Sequence, residues 1–570
     1  LTGDCEFDAV TVSSGDTFDI NGQRVEFSGE FTAVNSDTAD IKSTGGGLII
    51  AHDNVIIDGS MEYMHDGDVN MIVHGGTGHD WRPVWADGVG PTFRNLLVNG
   101  TVTTIAQVGH ASGVSNYNPE SIIVGSGTFT PAGHTYLKDL TVATGGTFVG
   151  RTSGDKEVGL HGDFTTSGGL LGASCLELNG SDEYGANGGT TWGFGDTWTI
   201  EMWFKTSNDA DMTLFDLHND SNNNNRIFIE TVAASNEVKV TAYNSGGSSV
   251  GFDTDKITVN PFDGKWHHLA VTGTTSAMEI YYDGKLANTA AGRDRDADPS
   301  MHLRFGRTHP SSAQFFNGCI DELRIFSDVR TQAEIRADMF QGGTLANSGN
   351  LVCRYSFDEG SGSTADNSQG TTARNLLLYD GGGLETSGLW AGAGTFTYGT
   401  STLVMSGSGK KIYYLDNEEI RHLTCSGSIT LDGVGQTAAD LKINGNVNIS
   451  GSLASQDDEK LFCQGGSITF AVGTAATSIA NLTKLIIANP TTVTLPALTT
   501  ERIQTDSGGT TTAGGDITVT AELEINSGGT FNANGNTITG RLIDVNGGTL
   551  NLSNSTVALT REANYGIDLT

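Results

Sequence analysis

The segment Phe316–Phe326 reads FNGCIDELRIF and sets a thiol, two carboxylates and a guanidinium (Cys319, Asp321, Glu322 and Arg324) into an otherwise apolar run. Two carboxylates could act as the acid and base of a glycosidase, but only if they lie about 5–9 Å apart and face the same sugar. Adjacent residues of a strand point to opposite faces. Alternation therefore predicts Cys319, Asp321, Leu323 and Ile325 in one row and Ile320, Glu322, Arg324 and Phe326 in the other. On that reading Asp321 ends a core row and accepts hydrogen bonds, while Glu322 pairs with Arg324. No E-x-D-x-x-E pattern occurs, so both acids are expected to hold the fold and not to turn over substrate.

Metal chemistry has other candidates. His267 and His268 in KWHHLAVT diverge on a strand and have no third His or Cys nearby in sequence, which argues against joint ligation of one ion. Calcium takes carboxylate and amide oxygens from loops. Two loops offer them: DLHNDSNNNN, with Asp216 and Asp220, and GRDRDADP, where Asp294, Asp296 and Asp298 alternate. The plain alternative is that both are solvated turns. His74–Trp85, HGGTGHDWRPVW, carries two His and two Trp that could stack on a sugar or plug the end of a repeat. Ser-His-Asp triads, phosphate-binding Gly loops and dinucleotide fingerprints are absent from the chain.

The elements that must position these residues are almost all strands. Gly is abundant at 78 of 570 residues and Pro scarce at 9, which suits many tight turns. The length predicts two to four domains. Only TQAEIRADMF, Thr331–Phe340, has helical spacing, behind a Thr N-cap. GDTF at Gly15–Phe18 recurs as GGTF at Gly145–Phe148 and Gly528–Phe531 and as GGTL at Gly547–Leu550, with looser copies at Gly125–Thr130 and Gly392–Thr397. Each copy adjoins a short strand, so residues 1–170 and 376–570 read as β-solenoid or β-helix-like domains with rungs about ten residues apart. Thr and Asn after the turns are expected to ladder from coil to coil.

A formal charge of −35, from 31 basic and 66 acidic residues, repels nucleic acid and anionic membranes, so neither is an expected partner. No run of 18 apolar residues is present. Residue 1 is Leu, and upstream processing is expected. The six cysteines lack C-x-x-C or metal spacing; Cys175, Cys319 and Cys353 share the central segment and could form one bridge or stay buried thiols.

That segment, 171–375, differs from its flanks. WTIEMWF (Trp198–Phe204) alternates as a half-buried sandwich strand, and MEIYYDGKLANT (Met278–Thr289) is a hairpin turning at Asp283-Gly284. With LELNGSDEY, DGKWHHLAVT and FNGCIDELRIFSDVRTQAEI in that order, it resembles the laminin G-like, concanavalin A-like jelly-roll family, in the group shared with pentraxins. The resemblance implies an all-β jelly-roll sandwich set between solenoid segments, with Trp203, Trp266, His267, Asp321, Glu322 and Arg324 as structural hallmarks. YSFDEGSGSTADNSQG (Tyr355–Gly370) looks like the segment that usually opens such a module, so the module is either permuted or followed by a degenerate second copy. The function expected is a non-enzymatic structural and adhesive protein of a virion (fibre, spike or capsid decoration) whose jelly roll contacts a surface glycan or receptor, with calcium a candidate cofactor. Homo-oligomers and other virion or filament subunits are the expected partners, and a virion or cell surface the expected location. The alternatives are a secreted bacterial or archaeal adhesin or filament subunit, and a polysaccharide-degrading enzyme.

Overall fold

In the computed structural model, residues 1–13, 15–33, 40–43, 46–57, 69–81, 93–104, 108, 120–150, 156–187, 192, 195–219, 222–254, 260–296, 301–309, 313–343, 345, 348–369, 374–381, 383–384, 389–436, 438–472, 479–488, 491–560 and 567–569 are described. Short parallel strands from both ends of the chain wind into a β-helix. Val25, Ile49, Met71, Leu96, Ile122, Leu140, Phe164, Ile412 and Leu431 stack in register as one inward ladder. No strand this short buries an apolar row alone; stacking does it, and all nine side chains are buried. The ladder passes straight from Phe164 to Ile412. The outer segments, expected as two repeat domains, therefore share one core running from Val12 to Val545.

The Gly-rich motifs mark where coils turn. Gly127, Gly146 and the start of strand Thr395–Thr397 line up so that Phe129, Phe148 and Phe396 stack, with ring centroids 5.8 and 5.1 Å apart. Gly145 has φ +81°, and a Cβ on Gly146 would sit 2.0 Å from the Val124 carbonyl oxygen of the previous coil. The first glycine permits the turn and the second the close approach. Thr492, Thr510, Thr530 and Thr549 form the expected ladder. A full coil takes 18–26 residues along the inward ladder, so the ten-residue spacing separates strands within a coil and not successive coils.

The central segment is an antiparallel two-sheet sandwich around its own core. Strand Asn317–Phe326 pairs with Trp198–Lys205, and Met212–Asn219 with Met301–Phe305 in the facing sheet. The segment after the helix completes the same sandwich: Leu351–Tyr355 pairs with Asn317–Phe326, and Leu376–Asp380 with Tyr184–Asn187. Of the two alternatives for that segment, the permuted module is the one observed. Gln332–Asp338 is the α-helix among the described residues, closed by a Thr331–Glu334 capping box. At the neck, Leu176 bridges Trp390, with Glu177 N–H donating to Leu389 and Ala391 N–H to Cys175, so the chain returns to the β-helix where it left it.

The sandwich lies against the β-helix along an apolar seam. Trp203, Trp266, Cys175, Cys319, Met339 and Phe340 pack on Leu48, Ile50, Ile72, Leu97, Ile123 and Ala143 of the solenoid. The six cysteines are free thiols, with Cys175 and Cys319 side by side in this seam. Polar contacts fix the register: Asn99 donates from Nδ2 to the Trp266 carbonyl at 2.6 Å and accepts from its N–H at 3.3 Å. Arg24 donates to the Asp283 carbonyl, and Arg336 pairs with Asp4. Removing a buried indole leaves a cavity as well as lost transfer energy, so Trp203→Ala should cost about 3–5 kcal/mol in urea unfolding followed by fluorescence. A cost below about 1 kcal/mol would mean that the seam does not hold the module.

Candidate functional site

Strand Asn317–Phe326 does not alternate as its sequence suggests. Glu322 has φ +52°, and the pairing with Trp198–Lys205 slips there, a β-bulge. Ile320 pairs with Phe204 and Ile325 with Ile200 toward the sandwich core, while Asp321 pairs with Trp203 and Arg324 with Glu201 toward the seam. The extra residue puts Asp321, Glu322 and Arg324 on one side and Leu323 in the core, which corrects the expectation of opposite rows.

Although they share a side, the two acids present nothing to a substrate. Asp321 is fully buried and accepts from the N–H groups of Leu170 (2.9 Å), Leu171 (3.3 Å) and Glu322 (2.8 Å). Burial pushes its pKa well above the carboxylate range, with Glu322 and Asp358 adding to the shift. Glu322 is clamped by Arg324 (3.0 Å) and by Arg354 (2.7 Å from Nε). Arg324 also donates to the Asp338 carbonyl at the helix end, 2.8 Å away. Hydrogen-bonded burial of this kind offsets the desolvation of the charges.

His267 is likewise structural in its contacts. Its Nδ1 meets Asp283 at 2.8 Å and its Nε2 meets Asp263 at 3.1 Å, with the ring fully buried. Burial alone would lower its pKa, but Asp283 and Asp263 outweigh it and raise it to about 9. His268 faces the other way and burial lowers its pKa to about 3, so the two rings do not converge on an ion. His74 is half-buried and stacks on His52 at 4.9 Å, while buried His79 takes the Val55 N–H at 2.9 Å; the Trp81 side chain and Trp85 lie outside the described residues.

The described calcium candidates do not meet. Asp216 belongs to a strand, not a loop; it is buried, and both its oxygens are held by Arg226 at 2.8 Å. Asp294 and Asp296 are exposed on either side of buried Arg295, and Asp220 and Asp298 lie outside the described residues. Among the described residues no group of three or more His, Cys, Asp or Glu side chains is placed to hold a metal ion.

A cavity of about 620 Å³ does open at the seam, between the β-helix, the linker Leu170–Ala173, the turn after the helix and Asp358-Glu359. Its floor is two solenoid ladders. One stacks Ser121, Asp139 and Asp163; the other stacks Thr141, Thr165, Tyr413 and Asp432. Asp139 accepts from the Asp163 N–H and Asp163 from the Lys411 N–H, both at 2.8 Å, so each coil caps the next. Asp358 accepts from the Ala173 N–H at 2.5 Å. Burial raises Asp358 to about 6 and Glu359 to about 7. None of these residues was singled out from the sequence. They lie far apart in the chain, and the available signal was Asp at matching strand starts, in KDLTV and GDFTT.

Residues 179–336 match the family model described as the Concanavalin A-like lectin/glucanases superfamily. Most of the inserted module, here the lectin domain, is thus similar to this superfamily of lectins and glucanases. Comparison with curated proteins returns no match. Among solved structures the chain is similar to a protein from Bacteroides ovatus ATCC 8483 (16% identity, 36% of this chain and 58% of that one, TM-score 0.29). It is also similar to the heptameric SAP-like pentraxin of Limulus polyphemus (12% identity, 36% and 94%, TM-score 0.28). A third is domains LG4-5 of the mouse laminin α1 chain (20% identity, 27% and 40%, TM-score 0.23).

Within the lectin domain the buried His267 charge sets a pH dependence. Its pKa is about 9 in the fold against 6.5 when free, so its contribution is complete below pH 6.5 and is lost as pH rises through 9. The loss should approach ~3 kcal/mol. Denaturant titrations between pH 6 and 10 should show this decline in the wild type and a flatter profile in His267→Gln; parallel profiles would remove the clamp as the cause.

Proposed function

We propose that this chain is a non-catalytic adhesion protein in which a β-helix presents the lectin domain to surface glycans. The seam carries this reading. The lectin domain is set into a single coil, tied at its neck by backbone pairing and packed on the solenoid through two buried tryptophans. A module held this way keeps one orientation on its scaffold, which suits presentation to a surface. The family description covers glucanases as well as lectins. The buried partners of Asp321 and Glu322 favour the lectin side, because neither acid is free to protonate a glycosidic oxygen or to attack a sugar.

A virion fibre, spike or capsid decoration is the setting we favour, on the strength of the acidic, Gly-rich composition and the β-helix scaffold; a secreted bacterial or archaeal adhesin or filament subunit fits the same geometry. Further copies of the chain and neighbouring structural subunits are partners in this reading.

The test is a glycan array probed with the whole chain, beside a reducing-sugar assay on neutral and acidic polysaccharides. Binding without turnover is expected. Turnover that Asp321→Asn abolishes would replace this reading with an enzymatic one. Because the described residues bring together no metal ligand group, EDTA should change glycan affinity less than twofold; a tenfold loss would make calcium part of the site.

A further inference from the structure

We infer that the cavity between the β-helix and the lectin domain is a saccharide subsite that takes neutral sugar units and rejects acidic ones. This rests on the reading of the chain as a glycan binder and places the ligand at a joint that neither part forms alone.

The outward ladder of the solenoid shows why this spot differs from the rest of the seam. Ile50, Ile72, Leu97 and Ile123 stack on successive coils and are covered by the lectin domain. The same ladder then continues as Thr141, Thr165, Tyr413 and Asp432, at the cavity. The change from apolar to polar residues coincides with the place where the two parts separate. They meet again on the far side, where Gly360 of the lectin domain lies against Val434 and Gly435: a Cβ on Gly435 would come within 2.3 Å of the Gly360 carbonyl carbon. The result is a bowl walled on opposite sides, of a volume typical of small-molecule sites.

The lining selects hydroxyl donors. Asp139, Asp163, Asp358, Glu359 and Asp432 surround the bowl, and the Lys411 ammonium is 2.8 Å from Asp432. Glu359 lines the bowl and accepts from the Asp366 N–H through Oε1. A sugar hydroxyl donates to carboxylate oxygens of such a lining. Thr141 and Thr165 can both donate and accept, and the half-exposed Tyr413 ring offers a face to a pyranose. A uronic or sialic acid would instead bring its carboxylate into a lining where acidic groups outnumber the one ammonium, and like charges at close range repel. The same argument would admit a cation, but the described carboxylates are not gathered closely enough for one.

Three proteins on one glycan array test this: the wild type, Thr165→Trp, which fills the bowl, and Glu359→Gln, which keeps the shape and alters the acceptor. Thermal melting of each establishes that it is folded, and Tyr413→Ala replaces Thr165→Trp should that variant melt early. Wild-type binding to neutral oligosaccharides, at least tenfold weaker in the bowl variants, is the expected result. Neutral-glycan binding that all variants retain would overturn the subsite and leave the lectin reading intact. Preference for acidic glycans would overturn the inferred specificity alone, and a wild type that binds no glycan would overturn both.

Discussion

The structure depends on Phe164 lying on Ile412 across the whole lectin domain in sequence. A parallel coil exposes its strand edge until the next coil pairs with it, and an unpaired edge is a liability. An insertion into a β-helix is therefore tolerable only if the chain returns to the point from which it left. The neck does this by pairing Leu176 with Trp390, after which strand Thr395–Thr397 resumes the stack on Gly146–Val149. The permuted order of the lectin domain follows from the same need. Its last strands, Leu351–Tyr355 and Leu376–Asp380, fill both sheets and return the chain to the neck.

Once the ends are fixed, the outward ladder can serve as a docking surface. A solenoid repeats one side-chain position every coil, so a few substitutions make a continuous apolar stripe or a polar one. Here the stripe is apolar under Trp203 and Trp266 and polar beyond them. Packing and recognition thus use neighbouring stretches of a single ladder, and the lectin domain's position decides which stretch is which.

Much of this was legible in the residues. The copies of GGTF marked real coil turns, because only glycine meets both the positive φ at Gly145 and the close carbonyl at Gly146. Asp283-Gly284 turns as expected, with φ +45° and +71°, and Thr331 caps the one described helix. The rest depended on long-range geometry. Coil length was misread because strands within a coil and strands on successive coils carry the same period-2 pattern. The single solenoid was hidden because register between residues 164 and 412 leaves no local trace. The cavity residues are brought together by stacking alone, so no sequence window contains them.

The acids that first suggested catalysis show what a buried carboxylate can do in such a joint. The linker Leu170–Ser174 leaves a coil and enters a sandwich, and in that crossing its backbone belongs to neither ladder. Its N–H groups still need acceptors. Asp321 takes those of Leu170 and Leu171, and Asp358 takes those of Ala173 and Ser174. The bulge at Glu322 is what makes this arrangement compatible with the core: it lets Asp321 face the linker and Leu323 face the sandwich interior while keeping Glu322 within reach of Arg324 and Arg354. Without the extra residue, the alternation that buries Ile320 would send Leu323 toward the seam and leave a charged residue in the core. The pair is thus spent on fastening the domain to its scaffold, and recognition falls to residues on the solenoid side of the same linker.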